Sequence, residues 1–182
     1  MAFFSPRASS LAPALPPPGL EKPIGEPPSS SCAEYRTTVL FRNVPYAFTR
    51  DTFVELLNSQ GFQGKFDLVY VPMDFKTNRA RGYAFVNAVD AEVALCLFVT
   101  FEGFQAWPKR SSKPCNVSWS CRQGLESNVG AYRNLPVMQA HVPDAWKPAV
   151  FSKGSEVPFP APTGKLRRNR KILHCDGEAP RI

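Results

Sequence analysis

The chain is poor in the residues that catalysis and metal binding draw on. It has two histidines, His141 and His174, and they are not spaced as a pair of helical metal ligands. Its five cysteines, at 32, 96, 115, 121 and 175, form no Cys-x-x-Cys pair, so the spacing of a structural zinc site is missing. There is no glycine-rich phosphate loop, and no nucleophile stands beside a sequence-evident base. No apolar run reaches the roughly 20 residues needed to cross a bilayer. The opening "MAFFSPRASSLAPALPPPGL" is broken by proline before a signal-peptide core can form. The resulting expectation is a non-enzymatic protein with no cofactor, no metal and no membrane association. It should be intracellular, nuclear and/or cytoplasmic, with reduced thiols. The leader also has arginine and serines and no acid before Glu21, a pattern that leaves a transit peptide as an alternative to a plain arm.

What the chain does have is positive charge, proline and aromatics, unevenly placed. The net charge is +7, divided as −1 over residues 1–35, +4 over 36–122 and +4 over 123–182. Eight of 19 prolines fall before residue 36, in a stretch too poor in apolar surface to offset its ordering entropy. Residues 1–35 are therefore expected to be a disordered Pro/Ser-rich arm, one able to dock on an aromatic groove of a protein partner. The remainder has room for one core, and its basicity favours an anionic partner.

From Arg36 the texture becomes that of a folded domain. "TTVLFRNVP" is β-branched and apolar until Pro45, which predicts a strand over 38–43. In "TRDTFVELLNSQG", Thr49 can cap a helix whose Phe53, Leu56 and Leu57 share a face, with Gly61 beyond its end. "KFDLVYVP" predicts a second strand, "MDFKTNRA" a polar loop, and "RGYAFVNA" (81–88) a third strand. Asp90 can cap "AEVALCLFVTFEG". After a loop holding Trp107, Lys109, Arg110 and Lys113, "CNVSWS" predicts a fourth strand with Val117 and Trp119 facing the core. This order is that of an α+β, ferredoxin-like βαββαβ sandwich, a four-stranded antiparallel sheet with two helices on one face.

The third strand is the informative one. Successive side chains alternate between faces, so Arg81, Tyr83, Phe85 and Asn87 lie on one side and Gly82, Ala84, Val86 and Ala88 on the other. The bulky aromatics thus share a face with a cation, on the side the helices leave bare. Leu40 and Arg42 belong to the same face, as does Tyr70 if Val69 and Val71 point inward. An exposed apolar and basic sheet face calls for a ligand.

"VLFRNV" (39–44) and "RGYAFVNA" resemble the two short motifs of the RNA recognition motif, the longer of which reads K/R-G-F/Y-G/A-F-V-x-F/Y. The departures are Ala88, where an aromatic is usual but the side chain points inward, and Leu40, which substitutes apolar contact for a stacking ring. The run "RTTVLFRNVP", "FDLVYVPMDF", "GYAFVNAVDA" and "RQG" is similar to the carboxy-terminal RNA recognition motif of the Mei-two-like proteins. That resemblance covers about residues 36–162 and implies a C-terminal extension with an extra helix and a "PFP" element, here at 158–160. The chain accordingly divides into an arm (1–35), an RNA recognition motif (36–122), an extension (123–162) and a basic disordered tail (163–182).

The resemblance implies a monomer that binds single-stranded RNA, with Tyr83 and Phe85 each stacking a base. Arg42 and Arg81 would hold phosphate or stack, Leu40 and Tyr70 would add contact, and Asn87 and Ser118 would read base edges. Asn43, before Val44-Pro45, is expected to serve the turn. Lys76, Arg79, Lys109, Arg110 and Lys113 are phosphate contacts or solvated charges. "KLRRNRK" (165–171) is a phosphate-binding cluster, a nuclear address or a solvated tail. In the extension, Leu125, Val129 and Tyr132 share a helix face. That helix extends the RNA platform, folds across the aromatic face to regulate access, or packs at the domain edge together with Trp146 and Phe151. The rival function is a protein-interaction module using the sheet face or the extra helix, with only nonspecific electrostatic binding of nucleic acid.

Overall fold

The computed structural model describes residues 35–109 and 111–166. The expectations for the arm before residue 35, for Arg110 and for the cluster beyond Leu166 lie outside the described residues. Strand β1 (Thr38–Arg42) leads to helix α1 (Arg50–Ser59), strand β2 (Phe66–Tyr70), a small hairpin of β3 (Met73–Asp74) and β4 (Arg79–Ala80), and strand β5 (Tyr83–Ala88). Helix α2 (Ala91–Phe101), strand β6 (Asn116–Trp119), helix α3 (Leu125–Tyr132), two 3-10 turns (Pro136–Met138 and Asp144–Trp146) and strands β7 (Ala149–Ser152) and β8 (Ser155–Val157) complete the order.

The helix starts follow from their caps. Thr49 and Thr52 form a reciprocal capping box at α1, and the Asp90 carboxylate accepts the Val93 N–H at 2.7 Å at the start of α2. Between the helices and the sheet, Phe41 packs edge-on against Phe53 at 5.4 Å and Phe101 at 5.3 Å, a favoured aromatic geometry. Ala84 and Val86 of β5 are fully buried beneath them. Small residues on that side let the helices sit close, which explains why the strand's bulk is on its other face.

The antiparallel core of the sheet is β6-β1-β5-β2, and it continues into β7 and β8 to make six strands. β7 pairs with β2 through Leu68↔Val150 and Val69↔Ala149. The β7–β8 connection is a two-residue turn in which both Lys153 (φ 50°) and Gly154 (φ 83°) are left-handed, the geometry that matches strand twist in a tight hairpin. Phe151 belongs to this added strand and packs edge-on against Phe66 at 5.1 Å in the main core. Trp146 packs against the same core and also meets Phe75, with ring centroids 5.6 Å apart. Arg50, almost fully buried at the start of α1, ties the addition to that helix by ion pairs with Asp144 and Glu156, each at 3.3 Å, and is itself held by its neighbour Asp51 at 2.9 Å.

Candidate nucleic-acid interface

The face of the sheet away from α1 and α2 carries the expected side chains in register. Arg42 stands opposite Tyr83, Leu40 opposite Phe85 on one side and Ser118 on the other, and Tyr70 opposite Phe85. Tyr83 and Phe85 meet edge to face at 5.8 Å. The face divides into an open end and a closed end.

At the open end lies a cleft of about 970 Å3 floored by Leu40, Arg42, Tyr83 and Phe85. Its walls are the β1–α1 loop (Asn43–Ala47), Arg79 and Arg81 before β5, and Ser111–Lys113 before β6. Asn43 holds two walls together. Its backbone is left-handed at φ 62°, and its amide donates to the Pro114 carbonyl at 2.9 Å, which is the turn role expected for it. Lys109 donates to the Ala47 carbonyl at 3.1 Å, so its charge braces a wall. Arg42, Arg79, Arg81 and Lys113 are exposed and form no ion pair among the described residues, where the ion pairs gather around Arg50 and Asp144.

The closed end is sealed by the segment after β6. Gln123 accepts the N–H groups of Thr37 and Thr38 at 2.9 and 2.7 Å and donates to the carbonyls of Thr38 and Ser120. Thr38 Oγ1 accepts from Gly124 N and from Asn128 Nδ2, both at 3.0 Å. Helix α3 is thereby drawn over the face, and its deepest residue is Asn128, fully buried, while Leu125, Val129 and Tyr132 are half-buried. Of the placements open for this helix, the structure has the one across the aromatic face and not the domain edge. The Tyr132 ring lies 4.9 Å from Tyr70 and 6.3 Å from Phe85. Burial, with Tyr132 and Tyr83 close by, pushes the Tyr70 hydroxyl well above its ordinary range. Burial likewise raises Tyr132 to about 12, with Arg122 opposing.

Two sequence-based assignments change as a result. Asn87 is 2% exposed and is not available to a base edge. Its carbonyl oxygen accepts from the hydroxyls of Thr37 (2.8 Å) and Thr38 (2.6 Å), and its amide donates to Asp67 at 2.7 Å. Alternation put Asn87 on the correct face, but the returning chain covers that end of it. Ser118 also faces this side, with its hydroxyl buried and unpaired among the described residues. Leu40, Arg42, Arg81, Tyr83 and Phe85 are brought together in the cleft, whereas Tyr70 lies beneath Tyr132. Sequence reasoning passed over Tyr46, 63% exposed in the cleft wall. The signal for it was an aromatic just after the strand-ending Pro45.

For other chemistry, the described residues contain no cluster of His, Cys, Asp or Glu able to hold a metal, and no helix among them is long and apolar enough to cross a membrane. Burial raises the Cys115 thiol to about 12, with Glu102 adding to the shift, so it is a protonated core residue at neutral pH.

The fold is that of an RNA recognition domain. The family model described as RNA recognition motif 2 matches residues 36–133, more than half of the chain, and the chain belongs to that family. Among curated proteins it is 30% identical over 148 residues to Meiosis protein mei2 of Schizosaccharomyces pombe, covering 79% of this chain and 19% of that protein. It is 28% identical to Protein MEI2-like 3 of Oryza sativa subsp. japonica (78% of this chain, 15% of that one) and 30% identical to Protein MEI2-like 3 of Arabidopsis thaliana (75% and 17%). The chain thus spans less than a fifth of the length of each of these relatives. A solved structure of the Rna15 RRM with bound RNA (GU) aligns with 48% of this chain and 86% of that one, at 20% identity and a TM-score of 0.41.

Proposed function

We propose that the chain binds single-stranded RNA in the open cleft, by stacking bases on Tyr83 and Phe85 and holding phosphates with Arg42 and Arg81. The observation that carries this reading is the pairing of two half-buried aromatic rings with two arginines that form no ion pair among the described residues, Arg42 in the floor and Arg81 in the wall of one cleft. Stacking on an aromatic is worth roughly 1 to 3 kcal/mol per base, so two rings supply much of the about 8 kcal/mol of a micromolar complex. Arg79 and Lys113 add electrostatic attraction without base choice. Leu40, between Phe85 and Ser118, gives apolar contact in place of a third ring. The proposed setting is post-transcriptional regulation in a nuclear and/or cytoplasmic monomer. A meiotic setting is part of the proposal, drawn from the name of the relative Meiosis protein mei2.

A second reading has its own observation. Leu95 (56% exposed) and Val99 (71% exposed) form an apolar i, i+4 pair on α2, on the opposite side of the domain from the cleft, and a protein partner would be sought there. Fluorescence anisotropy on a pool of short single-stranded RNAs, over a salt series, separates the two. Tyr83→Ala/Phe85→Ala should lose about 2 kcal/mol or more, and a form ending at Gly164, which keeps the Asn134–Thr163 bonds, should bind nearly as the full chain does. A double mutant that binds like wild type, with binding abolished by truncation, would make the RNA attraction an electrostatic one of the tail and turn the search to a protein partner on α2.

A further inference from the structure

We propose a nucleotide subsite beside the sheet, between Tyr46 and the β3–β4 hairpin, which takes a base bearing an exocyclic amino group as the RNA strand leaves the sheet. The inference rests on the reading of the sheet cleft as an RNA site. A second cleft of about 500 Å3 adjoins the first and shares Tyr46, Arg79, Arg81 and Tyr83 with it, while Asp74 and Thr77 line its far side. A strand stacked on Tyr83 therefore has a continuous path into it.

Tyr46 is held in place for such a contact. Its carbonyl accepts the Ala80 N–H at 3.0 Å, the neighbouring Val44 N–H reaches the Gly82 carbonyl at 3.1 Å, and Phe48 N–H closes the turn on Pro45 at 3.0 Å. Gly82, at φ 86°, lies directly against the ring, and a Cβ there would come within 3.3 Å of Tyr46 Cε1. The ring is thus backed by the chain one residue before Tyr83 and is open elsewhere. An exposed aromatic whose backbone is already fixed loses little entropy on stacking a base.

The opposite wall supplies a directional acceptor. Asp74 Oδ1 accepts the N–H groups of Lys76 at 2.8 Å and Thr77 at 3.1 Å, and these bonds keep the carboxyl below its ordinary range, hence ionised. The Thr77 hydroxyl bonds to the same carboxylate and Arg81 acts on it electrostatically, and a carboxylate with about four lone-pair sites keeps acceptor capacity toward the cleft. An ionised carboxylate accepts from the amino group of a base, as in the pairing of acidic side chains with cytosine N4, and uracil offers no such donor. Arg79 and Arg81, both exposed between the two clefts, suit the phosphate that links the bases.

The test is anisotropy of the full chain at fixed salt, with oligouridylates of increasing length and the same strands ending in one cytidine at either end. Tyr46→Ala should lose about tenfold in affinity on the longer strands, within the range of one stacked base. It should lose nothing on the shortest strand that binds, and Tyr46→Phe should behave as wild type. A cytidine at one end should tighten binding, and Asp74→Asn, which keeps the turn acceptor and turns the other oxygen into a donor, should abolish that preference. Wild-type binding by Tyr46→Ala at every length, with Tyr83→Ala impaired, overturns the subsite and leaves the sheet reading standing. A loss by the same factor at every length makes Tyr46 a part of the loop scaffold and also overturns it. Equal affinity for cytidine and uridine ends removes the role given to Asp74. If Tyr83→Ala has no effect on any strand, the sheet reading itself fails and the subsite with it.

Discussion

The Tyr132 ring sits 4.9 Å from that of Tyr70, so a residue of the extension occupies the half of the sheet face where a further base would stack. One half of the sheet face is open, at Arg42, Tyr83 and Phe85, and the other half lies under α3.

Removing that cover should favour RNA. An aromatic pair is worth about 0.5 to 1.5 kcal/mol beyond its buried area, and this contact opposes entry of a base above Tyr70. Tyr132→Ala is expected to bind strands long enough to reach Tyr70 two- to tenfold more tightly, to bind short strands unchanged, and to lose a few degrees in melting temperature. Isothermal titration over a length series, with a thermal melt of each protein, checks all three.

The two covered tyrosines also set an alkaline limit. A phenol raised above its unfolded value near 10 contributes stability that is complete below about pH 10 and is lost as pH rises through its folded value. For Tyr132 that window runs from about 10 to about 12, and Tyr70 is shifted in the same direction. The urea midpoint should fall steadily across this window. Absorbance at 295 nm should show two tyrosines ionising late, and Tyr132→Phe should remove one of them.

Asn87 separates folding from binding. It satisfies two threonine hydroxyls and the Asp67 carboxylate, and burial already raises the Asp67 pKa despite the bond from Asn87. Asn87→Ala leaves those groups unpaired and should cost roughly 2 to 4 kcal/mol in urea unfolding. RNA affinity, measured on the folded fraction, should stay within twofold of wild type.

Phosphate contacts should appear in the salt dependence. For single strands the slope of log K against log salt is about −0.7 per phosphate neutralised, so Arg42, Arg79, Arg81 and Lys113 together give about −3. Replacing Arg81 by Ala should reduce the slope by about 0.7 and weaken all sequences alike. Titration at several salt concentrations reads this directly.

Much of this architecture was legible because it depends on local periodicity. β5 and the helices declare themselves through alternation, caps and i, i+4 apolar spacing, and the outward set of Leu40, Arg42, Tyr83 and Phe85 follows from alternation alone. What alternation cannot supply is what lies on top of a face. Asn87 looked like a base reader because nothing local says that Gln123, Gly124 and Asn128 return over Thr38. The β3–β4 hairpin read as a polar loop because each strand is only two residues long. The β7–β8 hairpin was missed although Lys153-Gly154 between "AVFS" and "SEV" is a turn signal, because a short strand acquires its meaning from the partner edge, here β2. Tyr132 was placed on the correct side of its helix, and only the packed domain fixes what that side covers.

Chemical-shift mapping of the labelled chain during titration with a short single-stranded RNA addresses the central claim most directly. The expected result is perturbation concentrated at Leu40, Arg42, Arg81, Tyr83 and Phe85, with Leu95 and Val99 on α2 unmoved. Shifts confined to the α2 face or to residues 165–171, with the Tyr83 and Phe85 rings unmoved, would contradict it.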